Sequence, residues 1–435
     1  MFKKILIANR GEIAVRIIRT CRELGIKTCL VYSEADKESL PVKLADEAIC
    51  IGKSHPKESY LLLSRILSAV EISGSDALHP GYGFLAENAD LVEACQEMKI
   101  TFIGPPPQFL RLFADKLAAK KKMAEIGIPV IPGSDVLKDE EEAKAKAKEI
   151  GYPVILKACA GGGGKGMKIV REEKEMASSF QRATAEANSA FEDPRIYLEK
   201  LFTQFRHIEV QILADNYGNC LFFPERNCTI QKNFQKVIEE TPSPGIKNED
   251  RDLLQRLVKS LVVKTGYQNV GTMEFLEVDG NFYFMEINTR IQVEHPISEE
   301  ASGVDIIKNQ ILISAGERFE EKTYEPLFWS MEARVTGKNQ GKINLLLLPG
   351  GPFVRIDTHI YQGYNFSTIY DQLLLKLIVR GKDREETRRR MVRALSELKI
   401  EGIETNQEEL VKILESERFR QGDYKIDYYA SQPLF

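Results

Sequence analysis

The 435-residue chain has no CxxC pair and no GxGxxG fingerprint in its first strand-to-helix turn, and no apolar run approaches the ~20 residues that a membrane-spanning helix needs. Without the glycine fingerprint in the first turn, dinucleotide binding is disfavoured. Seven cysteines without paired spacing and only five histidines predict reduced thiols and no structural zinc site. The N-terminal apolar stretch is too short for a signal peptide. These absences predict a soluble, cytoplasmic protein without disulfides.

Charge and composition are those of an ordinary globular protein. The net charge is -4, with 29% charged and 43% hydrophobic residues. The basic triplets at 120–122 and 388–390 lie in helical patterns, so we expect solvated faces there and no nucleic-acid partner. The chain is too long for one hydrophobic core, and roughly two to four subdomains are expected.

Strands and helices alternate over residues 1 to about 110. Apolar runs at 5–8, 28–32, 48–51, 76–79 and 102–104 are separated by helical patterns, the first of which ends at Gly25 as a left-handed cap. The alternation predicts a doubly wound parallel sheet in an α/β fold that is α+β in parts. A helix over 109–126 and a small separate unit over about 130–200 are expected next, and the following segment is rich in strands.

A glycine-rich segment, Ala160-Gly-Gly-Gly-Gly-Lys-Gly-Met167, lies between two predicted strands. Glycines let backbone N–H groups approach phosphate oxygens closely. The segment is not a P-loop, because Met167 occupies the lysine position and no helix follows. With Lys157 at the end of the preceding strand, it predicts a mobile flap over phosphates, the alternative being a plain hairpin loop.

Polar side chains occupy every second position of residues 286–294: Glu286, Asn288, Arg290, Gln292 and Glu294. In a strand they would share one face, and the intervening apolar residues would anchor the other. Carboxylates and an amide oxygen suit a magnesium ion, and an arginine suits a small anion. We interpret the stretch as a functional strand. The alternative is a solvated strand face.

Glu274 precedes a predicted hairpin turn at Asp279-Gly-Asn281. A three-residue turn would place Glu274 opposite Glu286, whereas a two-residue turn would place it on the other face. We predict the three-residue turn. It would give two carboxylates that share a metal ion with nucleotide phosphates.

Five stretches span nearly the whole chain: Lys4-Ile-Leu-Ile-Ala-Asn-Arg-Gly-Glu-Ile-Ala14, His79-Pro-Gly-Tyr-Gly-Phe-Leu85, Gly151-Tyr-Pro-Val-Ile-Leu-Lys157, Arg206-His-Ile-Glu-Val-Gln211 and residues 286–296. They resemble the biotin carboxylase subunit of bacterial acetyl-CoA carboxylase and of related acyl-CoA or pyruvate carboxylases. The resemblance implies an N-terminal domain at 1–112 and an ATP-grasp domain at 113–330 with a mobile lid at about 130–202. A C-terminal domain of mixed sheet and helix would occupy 331–435.

The resemblance implies that ATP phosphorylates bicarbonate to carboxyphosphate, and that the ureido nitrogen of biotin on a carrier protein is then carboxylated. The implied ATP-binding residues are Lys116, Lys157, Gly163, Gly164, Glu199, Lys200, Leu201, Phe202, His207, Gln231, Glu274, Leu276 and Glu286. Glu274, Glu286 and Asn288 would hold two Mg²⁺ or Mn²⁺ ions. Bicarbonate would be bound by Lys236, Arg290, Gln292 and Val293. Glu294 would be the general base, Arg334 would stabilise the biotin enolate, and Tyr82 would lie near the biotin pocket; Arg290, Glu294, Lys236 and Arg334 form the catalytic set.

Two positions depart from the family pattern. Phe234 replaces a histidine that contacts the nucleotide, so one ATP contact is expected to be lost. The segment 336–342 after Arg334 is several residues shorter than in the family. This change affects the expected rim of the biotin pocket and the docking of the carrier.

The resemblance also implies partners. No biotin-attachment hairpin is found, so we expect the biotin carboxyl carrier protein and the carboxyltransferase on separate chains. A homodimer is expected through surfaces that include Arg16, Arg19, Glu23 and Arg355. We predict the biotin carboxylase of acetyl-CoA carboxylase, in fatty acid synthesis. The alternatives are a subunit of another acyl-CoA or pyruvate carboxylase, an ATP-grasp ligase that joins a carboxylate to an amine, and a degenerate, non-catalytic paralogue.

Overall fold

The computed structural model describes residues 1–160 and 166–429. Gly163 and Gly164, two of the expected ATP-binding residues, lie outside the described residues. Among the described residues, no helix is both long enough and apolar enough to cross a membrane.

The N-terminal part is built on a parallel sheet. Its elements are β1 (Lys4–Ile7), α1 (Gly11–Glu23), β2 (Lys27–Tyr32), α2 (Leu40–Leu44), β3 (Glu47–Cys50), α3 (Leu63–Ser73), β4 (Ala77–His79), α4 (Ala89–Glu97) and β5 (Thr101–Phe102). The strand order is β3-β2-β1-β4-β5, and each neighbouring pair is parallel. This confirms the predicted doubly wound sheet. Gly25 has a φ of 71°, the left-handed conformation expected after the first helix.

The single helix predicted over 109–126 is wrong. Two helices, α5 (Pro107–Ala114) and α6 (Lys116–Glu125), are separated at Asp115, which has an extended backbone. The Asp115 side chain accepts a hydrogen bond from the N–H of Ala118. Asp115 therefore acts as the N-cap of a new helix, a role for which aspartate is well suited.

A small unit with its own apolar core follows. It contains α7 (Glu140–Ile150), β6 (Val154–Ala158), β7 (Lys168–Val170), α8 (Met176–Phe191) and β8 (Ile196–Lys200). Its three strands form an antiparallel sheet in the order β7-β6-β8. The glycine-rich segment connects β6 to β7, so its predicted place between two strands is confirmed.

The remaining elements build a larger sheet, two separate two-stranded sheets and the helices around them. They are β9 (Arg206–Ala214), β10 (Cys220–Phe222), β11 (Arg226–Lys232), β12 (Gln235–Thr241), α9 (Asn248–Thr265), β13 (Asn269–Val278), β14 (Asn281–Asn288), α10 (His295–Ser302), α11 (Ile306–Ser314), β15 (Lys322–Thr323), β16 (Trp329–Thr336), β17 (Gly341–Lys342), β18 (Leu345–Leu347), β19 (Val354–Thr358), β20 (Asn365–Phe366), β21 (Leu373–Gly381), α12 (Arg384–Glu397), β22 (Lys399–Glu401), α13 (Gln407–Glu415) and α14 (Glu417–Gln421). The main strand order is β14-β13-β9-β11-β12-β16-β21-β19. Strands from before and after residue 330 thus pair directly, which brings distant parts of the sequence onto one surface.

The β13–β14 hairpin has the predicted pairing but not the predicted turn. Val278 pairs with Asn281, so the turn contains two residues, Asp279 and Gly280, both with positive φ. A β-bulge at Met285 then shifts the register by one residue, because Phe275 pairs with Phe284 while Glu274 pairs with Glu286. The three-residue turn was wrong, and the bulge supplies the extra residue instead.

The prediction of a strand over 286–294 is confirmed for residues 286–288 and wrong for the rest. Strand β14 ends at Asn288, and the chain then bends toward α10. The N–H of Thr289 donates to the Glu87 carboxylate in the N-terminal part, at 3.0 Å, instead of continuing the strand ladder. Arg290, Gln292 and Glu294 therefore occupy a turn, and strand alternation does not position them.

Candidate active site

Lys236 lies among the carboxylates of the large sheet. From β12, its ammonium approaches Glu209 at 2.5 Å, Glu294 at 2.5 Å and Glu274 at 3.3 Å. These four residues come from three strands, β9, β12 and β13, and from the N-cap of α10. Burial lowers the pKa of Lys236, but the three carboxylates outweigh it and hold that pKa well above its ordinary value. Lys236 is a fixed positive charge at neutral pH.

Arg334, on β16, contacts the same Glu294 carboxylate. Its Nε donates to Oε1 of Glu239 at 2.6 Å, and its Nη2 lies 2.9 Å from Oε2 of Glu294. The backbone behind Arg334 is held by Asn406, which donates from Nδ2 to the Arg334 carbonyl and accepts from the Thr336 N–H, each at 2.9 Å. The shortened segment that follows therefore leaves Arg334 anchored.

The two buried glutamates next to Arg334 have different ionisation. Burial raises the pKa of Glu294, but Lys236, Arg334 and Arg226 lower it further, and it lies well below its ordinary value. Burial raises the pKa of Glu239 to about 7, because Arg334 only partly compensates. Glu294 is thus an ionised carboxylate that can accept a proton, whereas Glu239 titrates near neutrality.

The turn after β14 carries the expected anion-binding groups Arg290 and Gln292. Arg290 donates to Glu87 from Nε at 3.1 Å and to the Asn288 side chain from Nη2 at 3.0 Å. Gln292 donates to Glu274 at 2.7 Å. The polar residues of the predicted strand do converge, but the turn and its side-chain contacts bring them together. Val293 is half-buried within the same turn.

Glu274 and Glu286 face each other across the hairpin and could hold a metal ion through their carboxylate oxygens. Glu274 accepts from Asn288 at 2.8 Å and lies 2.8 Å from Nε2 of His207, while Glu286 lies 3.3 Å from Lys116. Burial raises the pKa of Glu274, but Lys236 and His207 lower it further, so the carboxylate is ionised. Two carboxylates and an amide are the ligands that magnesium prefers.

The other expected nucleotide contacts lie on strands of the small unit and of the large sheet. Lys157 and Lys120 flank the buried Glu199 at 2.7 and 3.0 Å. Gln231 contacts Nδ1 of His207 at 2.9 Å, and Leu276 pairs with His207 across β13 and β9.

The end of β8 and the connection after it hold the next three expected residues. Lys200 donates to the carbonyls of Gly151 and Tyr152, so in this structure its charge points into the small unit. Leu201 donates from its N–H to the Pro153 carbonyl, and Phe202 stacks on Tyr283 with centroids 5.2 Å apart. The stacking of Phe202 on Tyr283 fastens the small unit to β14.

Sequence reasoning missed several residues of the site. Glu87, Lys120, Glu209, Arg226 and Glu239 make the contacts that hold the predicted residues in place. Glu209 lies inside the motif at 206–211, so its pattern was visible in the sequence. Glu87 carries no such signal, because its partner Arg290 is 203 residues away.

Two of the expected dimer residues are occupied inside the chain. Arg16 is buried and contacts Glu299 at 2.9 Å and Asp305 at 2.7 Å, and Arg355 contacts Glu299 at 2.8 Å. These ion pairs are formed within one chain, and the homodimer stays a prediction. Arg19 and Glu23 are exposed on α1.

Family models account for nearly the whole chain. "Biotin carboxylase, N-terminal domain" matches residues 1–110, "Carbamoyl-phosphate synthase L chain, ATP binding domain" matches 115–322, and "Biotin carboxylase C-terminal domain" matches 332–431. The chain belongs to the biotin carboxylase family. It is an ATP-dependent carboxylating ligase, as the sequence predicts.

Relatives of this family resemble the chain over its full length. Biotin carboxylase 1 of Bacillus subtilis is 47% identical over 442 residues, covering 98% of each chain. The crystal structure of a biotin carboxylase–β,γ-ATP complex from Campylobacter jejuni is 43% identical in sequence. Its TM-score is 0.97, and the match covers 99% of each chain. The biotin carboxylase domain dimer of Hydrogenobacter thermophilus 2-oxoglutarate carboxylase, in complex with MgADP, ADP and bicarbonate, is 43% identical. Its TM-score is 0.95, and the match covers 99% of this chain and 97% of that one.

Proposed function

We propose that this chain uses ATP and bicarbonate to carboxylate the ureido nitrogen of biotin on a carrier protein. The observation that carries the proposal is Glu294, a buried, ionised base held between Lys236 and Arg334 and next to an anion-binding turn. The Hydrogenobacter relative, solved with bicarbonate and MgADP, supports it.

The residues divide the chemistry between them. Bicarbonate would lie against Lys236, Arg290, Gln292 and Val293, where a guanidinium and an ammonium match its negative oxygens. Glu294 would take its proton, and the freed oxygen would attack the γ-phosphate to give carboxyphosphate and ADP. Carboxyphosphate would release carbon dioxide and phosphate, the phosphate would take the proton of the biotin ureido N–H, and the deprotonated nitrogen would then bond to the carbon dioxide. Arg334, with Tyr82 nearby, would stabilise the negative charge that builds up on the ureido oxygen when the nitrogen is deprotonated.

Glu274, Glu286 and Asn288 would hold magnesium. The fit is supported by the two carboxylates placed opposite each other on β13 and β14 and by the ionised state of Glu274. Bound magnesium would neutralise charge on the transferred phosphate. Lys116 and His207 next to these carboxylates, with Lys157 and Gln231, would hold the nucleotide phosphates and base.

The acceptor of the carboxyl group is proposed to be acetyl-CoA, acting through a carboxyltransferase on another chain. Pyruvate and other acyl-CoA acceptors are alternatives, and the match to a 2-oxoglutarate carboxylase domain keeps them open. Reconstitution with each carboxyltransferase and its carrier would show which acceptor is carboxylated. We further propose domains at 1–112, 113–330 and 331–435, which the bounds of the family-model matches support, and a homodimer, which the relative's domain dimer supports.

The experiment is an ATPase assay with and without bicarbonate, free biotin and magnesium. Wild type is expected to cleave ATP only with bicarbonate and to be stimulated by biotin. Arg334→Ala is expected to lose the stimulation, whereas Arg389→Ala, at an exposed position on α12, is expected to retain it. Equal stimulation in wild type and Arg334→Ala would remove the role of Arg334. Absence of bicarbonate-dependent turnover in wild type would refute the function, and amine-dependent turnover without biotin would instead indicate the amine-ligase alternative.

A further inference from the structure

Lys376 is a fully buried lysine on β21 that lies behind the catalytic turn. Its ammonium donates to the carbonyl oxygen of Val293 at 2.9 Å and lies 3.0 Å from Oε1 of Glu12. Asp357 on β19 is 3.8 Å away. One side chain thus joins helix α1 of the N-terminal part, strand β21 of the C-terminal part and the turn that carries the base.

The Val293 carbonyl is a specific point of attachment. It belongs to the peptide group whose N–H is that of Glu294, and the peptide group is planar. A donor fixed on this oxygen therefore sets the orientation of the backbone from which the Glu294 side chain starts. Lys376 is the cross-strand neighbour of Arg334 in the β16–β21 pair, but its ammonium is directed to the Val293 carbonyl, so its action on Glu294 would be through the backbone of the turn.

A second side chain fixes the same turn. Nδ1 of His295 lies 2.8 Å from the Gln292 carbonyl oxygen. Burial lowers the pKa of His295 to about 3, so the ring is neutral and donates one N–H there. Two consecutive carbonyls of the turn, at 292 and 293, are thus held by two buried donors.

Stability is a weak explanation for this buried lysine. Burial lowers the pKa of Lys376, but Glu12, Glu332 and Asp357 raise it further, so the side chain remains charged. A buried ion pair is commonly no more stabilising than apolar residues of the same volume. Glu12 is itself oriented from the other side, because Tyr82 donates its hydroxyl to Oε1 of Glu12 at 2.5 Å. The series of contacts from Tyr82 through Glu12 and Lys376 thus ends at the Val293 carbonyl, next to Glu294.

We propose that Lys376, held in place by Glu12, is a positioning residue that fixes the Val293–Glu294 peptide and thereby aims Glu294 at bicarbonate. The inference rests on the proposed function, because it assigns to Glu294 the deprotonation of bicarbonate. It extends that function to two residues that contact neither substrate nor nucleotide.

Bicarbonate-dependent ATPase without biotin is the assay, since it isolates this half of the site from the biotin pocket. The variants are Lys376→Met, the double variant Glu12→Gln/Lys376→Met and Glu12→Gln. The double variant removes the unpaired buried charge that Lys376→Met leaves on Glu12, and Glu12→Gln retains both the shape of the side chain and a hydrogen bond to Tyr82. Arg384→Met is the matched control, because it breaks an ion pair outside the site. In that pair, Nε of Arg384 lies 2.7 Å from Oε2 of the buried Glu240.

The expected result is a rise of about tenfold or more in the KM for bicarbonate and a fall in kcat of up to about a hundredfold in both Lys376 variants, as small displacements of catalytic groups produce. The KM for ATP should stay within about twofold. Glu12→Gln should raise the KM for bicarbonate severalfold. Arg384→Met should lower thermal stability without changing the KM for bicarbonate.

Wild-type bicarbonate kinetics in a folded Lys376 variant, or in Glu12→Gln, would overturn the positioning role. The positioning role would also be overturned if Arg384→Met raised the KM for bicarbonate as much as the Lys376 variants do, because the effect would then follow from lost stability. Failure of the proposed function gives a different result, since wild type itself would show no bicarbonate-dependent turnover.

Discussion

Glu294 and Arg334 are joined by a 2.9 Å contact between Oε2 and Nη2, although they lie 40 residues apart. Glu294 precedes α10, whereas Arg334 lies in the middle of β16. Because Lys236 faces Oε1, each oxygen of the base faces a cation. This arrangement keeps the carboxylate ionised inside the protein and places the expected bicarbonate and biotin steps next to each other.

The first prediction concerns the energetic coupling of Arg334 and Glu239. Arg334→Met leaves two buried glutamates without their arginine, and we expect the free energy of unfolding to fall by about 3–5 kcal/mol. Arg334→Met/Glu239→Gln should recover a large part of this loss, because one uncompensated charge is removed. Urea unfolding of the four proteins in the cycle measures the coupling. Additive effects of the two substitutions would contradict it.

The second prediction is a pH dependence of stability due to Glu239. Its folded pKa of about 7 lies above its unfolded value, so its contribution to stability is complete at acidic pH and is lost as the pH rises toward 7. Relative to Glu239→Gln, wild type should therefore lose stability between about pH 4.5 and 7, and the difference should be constant above that range. Thermal denaturation from pH 5 to 8 measures it. Parallel curves for the two proteins would show that Glu239 does not titrate there.

The third prediction tests the proposed magnesium ligands. Glu286→Gln removes one of the two carboxylates, and the magnesium concentration for half-maximal ATP cleavage should rise by about tenfold or more. Asp279→Asn is the control, because it changes an exposed carboxylate at the tip of the same hairpin. The ligand assignment would fail if the magnesium requirement of Glu286→Gln matched that of the control.

The fourth prediction concerns the turn between β11 and β12. Asn233 and Phe234 both have positive φ, and the Phe234 side chain is 79% exposed. Since a bulky residue is strained in this conformation and glycine is not, Phe234→Gly should raise the free energy of unfolding by about 0.5–1 kcal/mol.

Phe234→Ala is the control for the turn, because it removes the ring but retains the strained backbone. It should bring no gain in stability, and its KM for ATP should equal that of wild type if position 234 makes no nucleotide contact. A larger KM for ATP in Phe234→Ala would show that the aromatic ring takes the place of the missing histidine.

Much of the fold could be read from local sequence. Apolar runs and helix caps such as Gly25 specify β1 to β5 and their helices, because these signals depend on neighbouring residues. The break at Asp115 was missed, since a helical pattern continues through it and only the capping contact reveals the new helix. The motif residues Glu274, Glu286 and Glu294 were identified correctly as neighbours, but for a partly wrong geometric reason.

The sequence by itself determined which kinds of side chain the site can draw on, and it predicted which of them carry the chemistry and that Glu274 and Glu286 pair. Residue type and local periodicity contain that information. Only the tertiary structure decided how they meet: the bulge at Met285 sets the hairpin register, and the contact of Thr289 with Glu87 ends the strand. The pairing of β12 with β16 brings Arg334 to Glu294, and the packing of β21 behind the turn places Lys376 on Val293. These choices depend on contacts between residues far apart in the chain, and no local pattern encodes them.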